Sequence, residues 1–525
     1  MSPSRAEPVV VVGAGVGGLC LAIRLASAGV PVEVFEKEPA VGGKLRRVEV
    51  GGAGVDGGPT VLTMRWAFDE LFRATGAPLE AYVELAPLPV LARHYWPDGS
   101  SLDLYADREK SAAAIAAFAG AREAEGYRAF CEHARRIFEA VEGPFLRSAL
   151  PGVKDLFSLR GLGTAAQALR IDATRSMWKA IGSFYRDARL RALFGRFATY
   201  VGSSPLRAPA TLNVIAAVEL AGVWAVRGGM YALAEALLAR AGELGVRVHA
   251  GAAVDEIVLG PGGRAAGVRL AGGGVVAARA VASNGDGADL VRLVPGAPRG
   301  RLAGAAAERS LSALVLTGRA RAEGAALAHH TVFFPSNYED EFRTLFDAGR
   351  VPAEPTVYLC AQDRGPFGPG PGAGGGGGER LLVLINAPPD GDRPGAYPPE
   401  ETDAWVAKIL TRLRGAGLEL TPTALALTTP RDFERLSPSS GGALYGPASH
   451  GMTAAFSRPA SRTAVPGLYA VGGSVHPGAG VPMAALSSAI CARAMADDLG
   501  LTVPSLAGAT SGGTSTASAT AGAMR

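Results

Sequence analysis

Cysteine is scarce in this chain. There are 4 among 525 residues, at Cys20, Cys131, Cys360 and Cys491, and no two stand at the spacing of a redox or zinc motif. That excludes a disulfide scaffold and fits a reducing cytoplasm. Cys20 and Cys491 fall in apolar helical stretches, where a thiol acts as a small hydrophobe. His329, His330 and His450 have no ligand-spaced partners in the sequence, so no metal site is expected. An excess of charge of one sign is missing as well. Lys+Arg number 52 against Asp+Glu 48, a net charge of +4. With no dense basic run, nucleic acid is not an expected partner. Long hydrophobic runs are absent too. Val9 to Ile23 is uncharged, but it is too short to span a membrane and ends at Arg24, and Arg5 and Glu7 before it do not make a secretory leader. No other stretch reaches about 18 apolar residues without a charge. No acid/base pair stands out, so no catalytic residue is assigned.

What is present is apolar bulk. Hydrophobic residues make up 48% of the chain, enough for a large core and two domains. The mean hydropathy of +0.18 comes largely from alanine and hints at an apolar ligand or a membrane surface.

The first strong motif is "VVVVGAGVGGLCLAIRLASAGVPVEVFEKE", from Val9 to Glu38. Four valines predict a buried strand. Gly13, Gly15 and Gly18 follow in G-x-G-x-x-G spacing, then a helix ending at Gly29 and a second strand, Val32 to Phe35, that delivers Glu36. In this order Gly13 permits a tight turn, Gly15 lets the backbone approach a pyrophosphate, and Gly18 lets helix pack on strand. The diphosphate sits at the helix N-terminus and Glu36 accepts from the adenosine ribose. Glycine-rich helix starts without a ligand exist, but the flanking strand, helix and acid point to a dinucleotide. Six residues after Glu36 come Gly42, Gly43 and Lys44, then "VDGGPT" with Pro59 and Thr60. The glycine pair alone reads equally as an ordinary turn; placed here it favours FAD, along which more backbone must lie.

From about Glu84 the pattern changes. "RHYWPDGSSLDLYAD" predicts two strands joined at Asp98-Gly99. Helical patterns follow to about residue 220, including "AFCEHARRIFEAV" and "LRALFGRFATYV". The nucleotide pattern then returns with Gly228-Gly229, a long helix, Gly245, a short strand and another strand from Val254. Val268 to Val281 reads as a further hairpin. Residues 296–444 read as a second inserted block. The glycine-rich stretch 366–378 reads as a flexible loop, and residues 506–525 as a disordered tail.

Together, "VVVVGAGVGGL…FEKEPAVGGK…VDGGPT" and "GLYAVGGSVHPGAGVPMAALSSAICAR" near the C-terminus resemble the FAD-dependent phytoene-desaturase-type carotenoid desaturases. "RALFGRFATYVGSSPLRAPATLNVIAAVELAGVWAVRGGM" and "PTVYLCAQDRGP" resemble the hydroxyneurosporene or methoxyneurosporene desaturase branch. The resemblance runs over about residues 8–500. It implies an α/β fold: a two-part Rossmann-like FAD-binding domain (1–85, 221–295 and 445–505) with an inserted mixed α+β substrate and membrane-facing domain (86–220 and 296–444). It implies hydride transfer to FAD with introduction of the 3,4 double bond into acyclic 1-hydroxy or 1-methoxy carotenoids. The electron acceptor is not indicated. Alternatives on the same fold are phytoene desaturation, carotene isomerisation, amine or porphyrinogen oxidation, and non-redox lipid binding of the GDP-dissociation-inhibitor kind. The expected cofactor-binding residues are Gly13, Ala14, Gly15, Gly17, Gly18, Glu36, Lys37, Gly43, Lys44, Pro59, Thr60, Val254, Gly473, Val481 and Met483. In such folds the chain returns at its C-terminus to close the flavin pocket, with the helix that begins at Val481 facing the flavin. His476 reads as ordering this turn rather than as a base. The implied location is the cytoplasm, peripheral to a membrane. Pro144 to Gly163 mixes apolar and basic residues, as an interfacial patch does; an ordinary inserted helix is the equal alternative.

Overall fold

The computed structural model describes residues 7–149, 171–295, 308–368, 378–452, 454 and 458–502. Val9–Val12 is the middle strand of a five-stranded parallel sheet. Its order is Leu468–Ala470, Ala280–Ser283, Val9–Val12, Val32–Glu36 and Arg247–Ala250. The unbroken valine run has a physical cause, because a parallel strand is covered on both faces. Val9 and Val11 belong to one core with the helix Val16–Ser27 and the C-terminal helix Val481–Leu499. Val10 faces the other way, into a core with Phe35, Val254, Ile257 and Val268. That second face is covered by an antiparallel three-stranded sheet, Val254–Leu259, Ala265–Leu270 and Val275–Ala277.

The expected hairpin from Val268 to Val281 is therefore corrected. Its turn does lie at 271–274, but only Ala265–Leu270 and Val275–Ala277 pair across it. Val281 belongs to the next strand and pairs in parallel with Val10. Four consecutive buried residues, Ala280–Ser283, mark a strand covered on both faces.

The other sheet is mixed and has seven strands. Its order is Leu418–Thr428, Ser312–Gly324, Glu379–Ala387, Val357–Ala361, His330–Phe333, Val90–Tyr95 and Ser101–Tyr105. The last two form the hairpin expected at Asp98-Gly99, with Tyr95 opposite Ser101. Helices Arg108–Ala119, Ala121–Val141 and Met177–Phe184 cover one end. "LRALFGRFATYV" departs from one continuous helix. Ala188–Gly195 is α-helical, and the chain tightens to a 3₁₀ turn at Arg196–Val201. The two parts meet through a reciprocal pair: the Asp56 N–H donates to Gln362 Oε1 and Gln362 Nε2 donates to the Asp56 carbonyl, both at 3.0 Å. Among the described residues no helix is long and apolar enough to cross a membrane. The tail 506–525, residues 369–377 of the glycine loop and residues 150–163 of the apolar-basic segment lie outside the described residues.

Candidate functional site

The helix Val16–Ser27 begins at Gly15 with no side chain capping it, and Val16, Gly17 and Gly18 are buried. A buried helix start leaves N–H groups that require an acceptor, and its dipole favours an anion. Five glycines surround it. Gly13 has φ +98°, a conformation that favours glycine. A Cβ on Gly15 would lie 2.6 Å from Asn284 Oδ1, and one on Gly17 would lie 2.8 Å from the Gly472 Cα. A Cβ on Gly18 would strike the Gly13 carbonyl, and one on Gly43 would lie 3.3 Å from the Gly15 Cα. The N- and C-terminal glycine turns thus touch, and Asn284 ties them by donating from Nδ2 to the Val471 carbonyl at 2.9 Å.

Glu36 is buried at the end of its strand. Its Oε2 accepts from the Ala14 N–H at 2.7 Å and its Oε1 from the Glu38 N–H at 3.0 Å. Each oxygen keeps a lone pair, which a ribose hydroxyl could use. Val254 opens its strand in the same core as Phe35. Lys37 is turned elsewhere: its Nζ donates to the Arg435 carbonyl.

A cavity of about 740 Å³ lies beyond this turn, of the size that holds a drug-sized ligand. Lys44, Pro59, Thr60, Val481 and Met483 line it, together with Gly478 and Gly480. Gly473 lies in the adjoining turn, where its carbonyl accepts from Arg458 Nη1 at 3.1 Å. Helix Val481–Leu499 starts at Gly480 with no side-chain cap. Two cations stand nearby, Arg458 buried and Lys44 half-buried. Lys44 donates to the carbonyls of Ala443 and Leu444 at 3.2 and 2.9 Å. Arg458 donates to those of Tyr445, Gly473 and Pro447. Burial pulls the pKa of both down, that of Arg458 to about 10, while attraction to Asp286 opposes the shift. Asp286 caps the helix Gly287–Leu293 through Oδ1. Its Oδ2 is buried without a partner, an acceptor that a hydroxyl-bearing chain would fill. Uncapped helix starts, two cations bound to carbonyls and an orphaned carboxylate oxygen together fit a long, anionic, hydroxylated cofactor.

Sequence reasoning missed Asn284, Arg458, Asp286 and Tyr358. Tyr358 lines the cavity and its hydroxyl is 2.6 Å from Thr60 Oγ1 and 2.7 Å from His330 Nδ1. The expectation about His329 and His330 needs a correction. Cys360 pairs with His330 across adjacent strands, and the three residues' ligand atoms lie within 4.8 Å of one another. Spacing along the chain could not show this, because strand pairing joins them. Burial pushes the Cys360 thiol up and the His330 imidazole well down, so both are neutral. His476 is fully buried. Its Nε2 lies 2.9 Å from the Ser148 carbonyl and its ring meets Phe145 edge-on, so it is tied to the 145–148 segment. Phe145 and Leu146 line the cavity, and Arg147 pairs with Glu70 and Glu142. Within this described part of the apolar-basic segment Phe145 and Leu146 turn inward, while Pro144 and Ala149 are exposed.

Residues 16–496 match the family described as flavin containing amine oxidoreductase, and the chain belongs to that family. It is an FAD-dependent oxidoreductase. Its likeness to carotenoid desaturases extends over nearly its whole length. A hydroxyneurosporene desaturase from Rubrivivax gelatinosus is 45% identical over 527 residues, covering 99% of each chain. One from Cereibacter sphaeroides is 44% identical over 513 residues, covering 94% of this chain and 98% of the relative. A 4,4'-diapolycopene oxygenase from Methylomonas sp is 32% identical and covers 95% and 100%. Among solved structures, putrescine oxidase bound to putrescine superposes with a TM-score of 0.58 at 15% identity, covering 95% of this chain and 100% of its own. Cyclohexylamine oxidase from Brevibacterium oxydans gives 0.58 at 15%, covering 94% and 100%. These two share the fold.

Proposed function

We propose that this chain is a carotenoid desaturase that introduces the 3,4 double bond into acyclic 1-hydroxy or 1-methoxy carotenoids. The observation that carries the reading is the cavity. Its walls are largely apolar, with Val141, Ile215, Val218, Leu382 and Leu384 among them, and it reaches Thr60 and the start of the helix Val481–Leu499. An apolar chain fits those walls, and the relatives named hydroxyneurosporene desaturase supply its class.

FAD is held along Gly13, Ala14, Gly15, Gly17 and Gly18, with Glu36 and Val254 at the adenosine. Gly43, Lys44, Pro59, Thr60, Gly473, Val481 and Met483 continue along its flavin half. Lys37 is the weakest member of this set, because it bonds to Arg435. When bound, FAD supplies a two-electron acceptor for hydride from an allylic carbon. The chain's own part is positioning and electrostatics. The helix start at Val481 with Lys44 and Arg458 favours negative charge at that end. The apolar walls hold the polyene and exclude water, and Thr60 is held in place by Tyr358. Carbon 4 is allylic to the polyene, so the conjugated chain would stabilise the electron deficiency that hydride loss creates.

The same reading divides the chain into a discontinuous FAD-binding part, 1–85, 221–295 and 445–505, and a substrate part, 86–220 and 296–444. A substrate this insoluble comes from a bilayer, so we place the protein in the cytoplasm, peripheral to a membrane. Flotation with anionic liposomes tests that placement; protein remaining at the bottom of the gradient overturns it. The reaction is tested by expression in hosts that accumulate defined acyclic carotenoids, with chromatography of the pigments. Hydroxyneurosporene should gain one conjugated double bond at its hydroxylated end. Conversion of phytoene with hydroxyneurosporene untouched would make the chain a phytoene desaturase instead.

A further inference from the structure

Arg196 is a buried cation that the chemistry above does not use. It opens the 3₁₀ turn Arg196–Val201, is 4% exposed, and lines the cavity. Its Nη1 donates to the Tyr200 hydroxyl at 3.0 Å, and that hydroxyl donates to Glu219 Oε2 at 2.8 Å. Tyr200 and Glu219 line the same cavity, and Glu219 is 3% exposed. The remaining donors of Arg196 are different. Nε and Nη2 are buried with no hydrogen-bond partner, and so is the hydroxyl of Tyr338, another lining residue.

A guanidinium is charged at every physiological pH, and buried donors without acceptors are costly. A wall that held only hydrocarbon would have no use for one. Glu219 is engaged by Tyr200, so the free groups of Arg196 are donors and the site calls for an acceptor. A 1-hydroxyl and a 1-methoxyl oxygen both accept hydrogen bonds; a hydrocarbon end offers nothing.

The position also fits. Tyr358 lines the same cavity and meets Thr60, at the assigned flavin end, through a 2.6 Å contact. Arg196 lies close enough to Tyr358 to oppose the rise that burial imposes on its hydroxyl. The oxygen on carbon 1 is four bonds from carbon 4, so the two are within about 5 Å. A residue that reads the oxygen must therefore stand beside the reacting end of the cavity.

We propose that Arg196 is a specificity-determining residue: its guanidinium donates to the oxygen at carbon 1 of the carotenoid, with Tyr200 and Glu219 fixing its orientation. The inference rests on the desaturase reading above.

The test compares wild type, Arg196→Met and Arg196→Lys, each purified with FAD. Each is assayed on 1-hydroxyneurosporene and on its 1-deoxy analogue, the same chain with hydrogen in place of the hydroxyl. The readout is the ratio of kcat/KM for the two substrates, which a merely structural role would leave unchanged. Wild type should prefer the hydroxylated substrate. Arg196→Met should reduce that preference at least about tenfold, chiefly by losing activity on the hydroxylated substrate. Arg196→Lys keeps the charge and should retain part of the preference; it also serves if the methionine variant does not fold. A preference unchanged in whichever variant folds overturns the role of Arg196 and leaves the desaturase reading standing. Wild type that converts neither substrate overturns both.

Discussion

Among single residues, the site depends on backbone that must stay bare and on charges that must stay paired. Gly15 is the sharpest case. Its built Cβ would already crowd Asn284, and a larger side chain would occupy the place assigned to the diphosphate. Gly15→Val should weaken FAD binding about 100-fold, the equivalent of ~2.7 kcal/mol, and the protein should purify colourless. A yellow variant with full flavin content would remove the diphosphate from that turn. A second prediction concerns proton uptake. His94 is fully buried, stacked on Phe334 with Trp96 tilted beside it, and burial, aided by the nearby Arg196, holds its pKa well below 6.5. Folded, it stays neutral where the unfolded chain would protonate it. Stability is therefore lost as pH falls below about 6.5, because the unfolded state binds more protons. Melting temperatures at pH 7 and pH 5.5 should fall further apart in wild type than in His94→Asn. Equal differences would mean that His94 titrates normally.

At the scale of elements, the contact between two glycine turns joins the chain's ends. Helix Val16–Ser27 meets the turn after Leu468–Ala470 where Gly17 lies against Gly472. Gly17→Ala adds a methyl group 2.8 Å from the Gly472 Cα, where backbone has little room to move. It should cost about 1–3 kcal/mol of stability, seen as a lower urea midpoint, and should loosen FAD in parallel. Unchanged midpoint and flavin content would show that the two turns do not need this approach. Much of this region was legible in the sequence because each of its parts is a short local pattern: the valine run, the glycine spacing, Glu36 at the end of its strand and the helix start at Val481. The Val268–Val281 reading failed where one strand left its neighbours for a distant parallel partner. His330 and Cys360 became neighbours through strand pairing, and Thr60 met Tyr358 from 298 positions away. No periodicity encodes such pairs. Arg196 was hidden for another reason: inside "GRFATYV" it reads as the polar member of an amphipathic helix, and only burial shows that it faces a cavity.

At the scale of the whole molecule, two sheets divide the work. The five-stranded parallel sheet presents the glycine turns, and the seven-stranded sheet contributes Val315, Leu382 and Leu384 to the cavity wall. Both parts line the cavity: Lys44, Thr60, Val481 and Met483 come from one, and Val315, Leu382 and Leu384 with the polar Arg196, Tyr200 and Glu219 come from the other. That arrangement suits a reaction in which cofactor and substrate meet at an interior face away from water. The most direct measurement gives the purified, FAD-loaded protein 1-hydroxyneurosporene or phytoene in separate liposome preparations and follows the pigments by chromatography, absorbance and mass. The account predicts that 1-hydroxyneurosporene loses two hydrogens and shifts to longer wavelength by one conjugated double bond, while phytoene is left unchanged. Desaturation of phytoene with 1-hydroxyneurosporene recovered intact would contradict it.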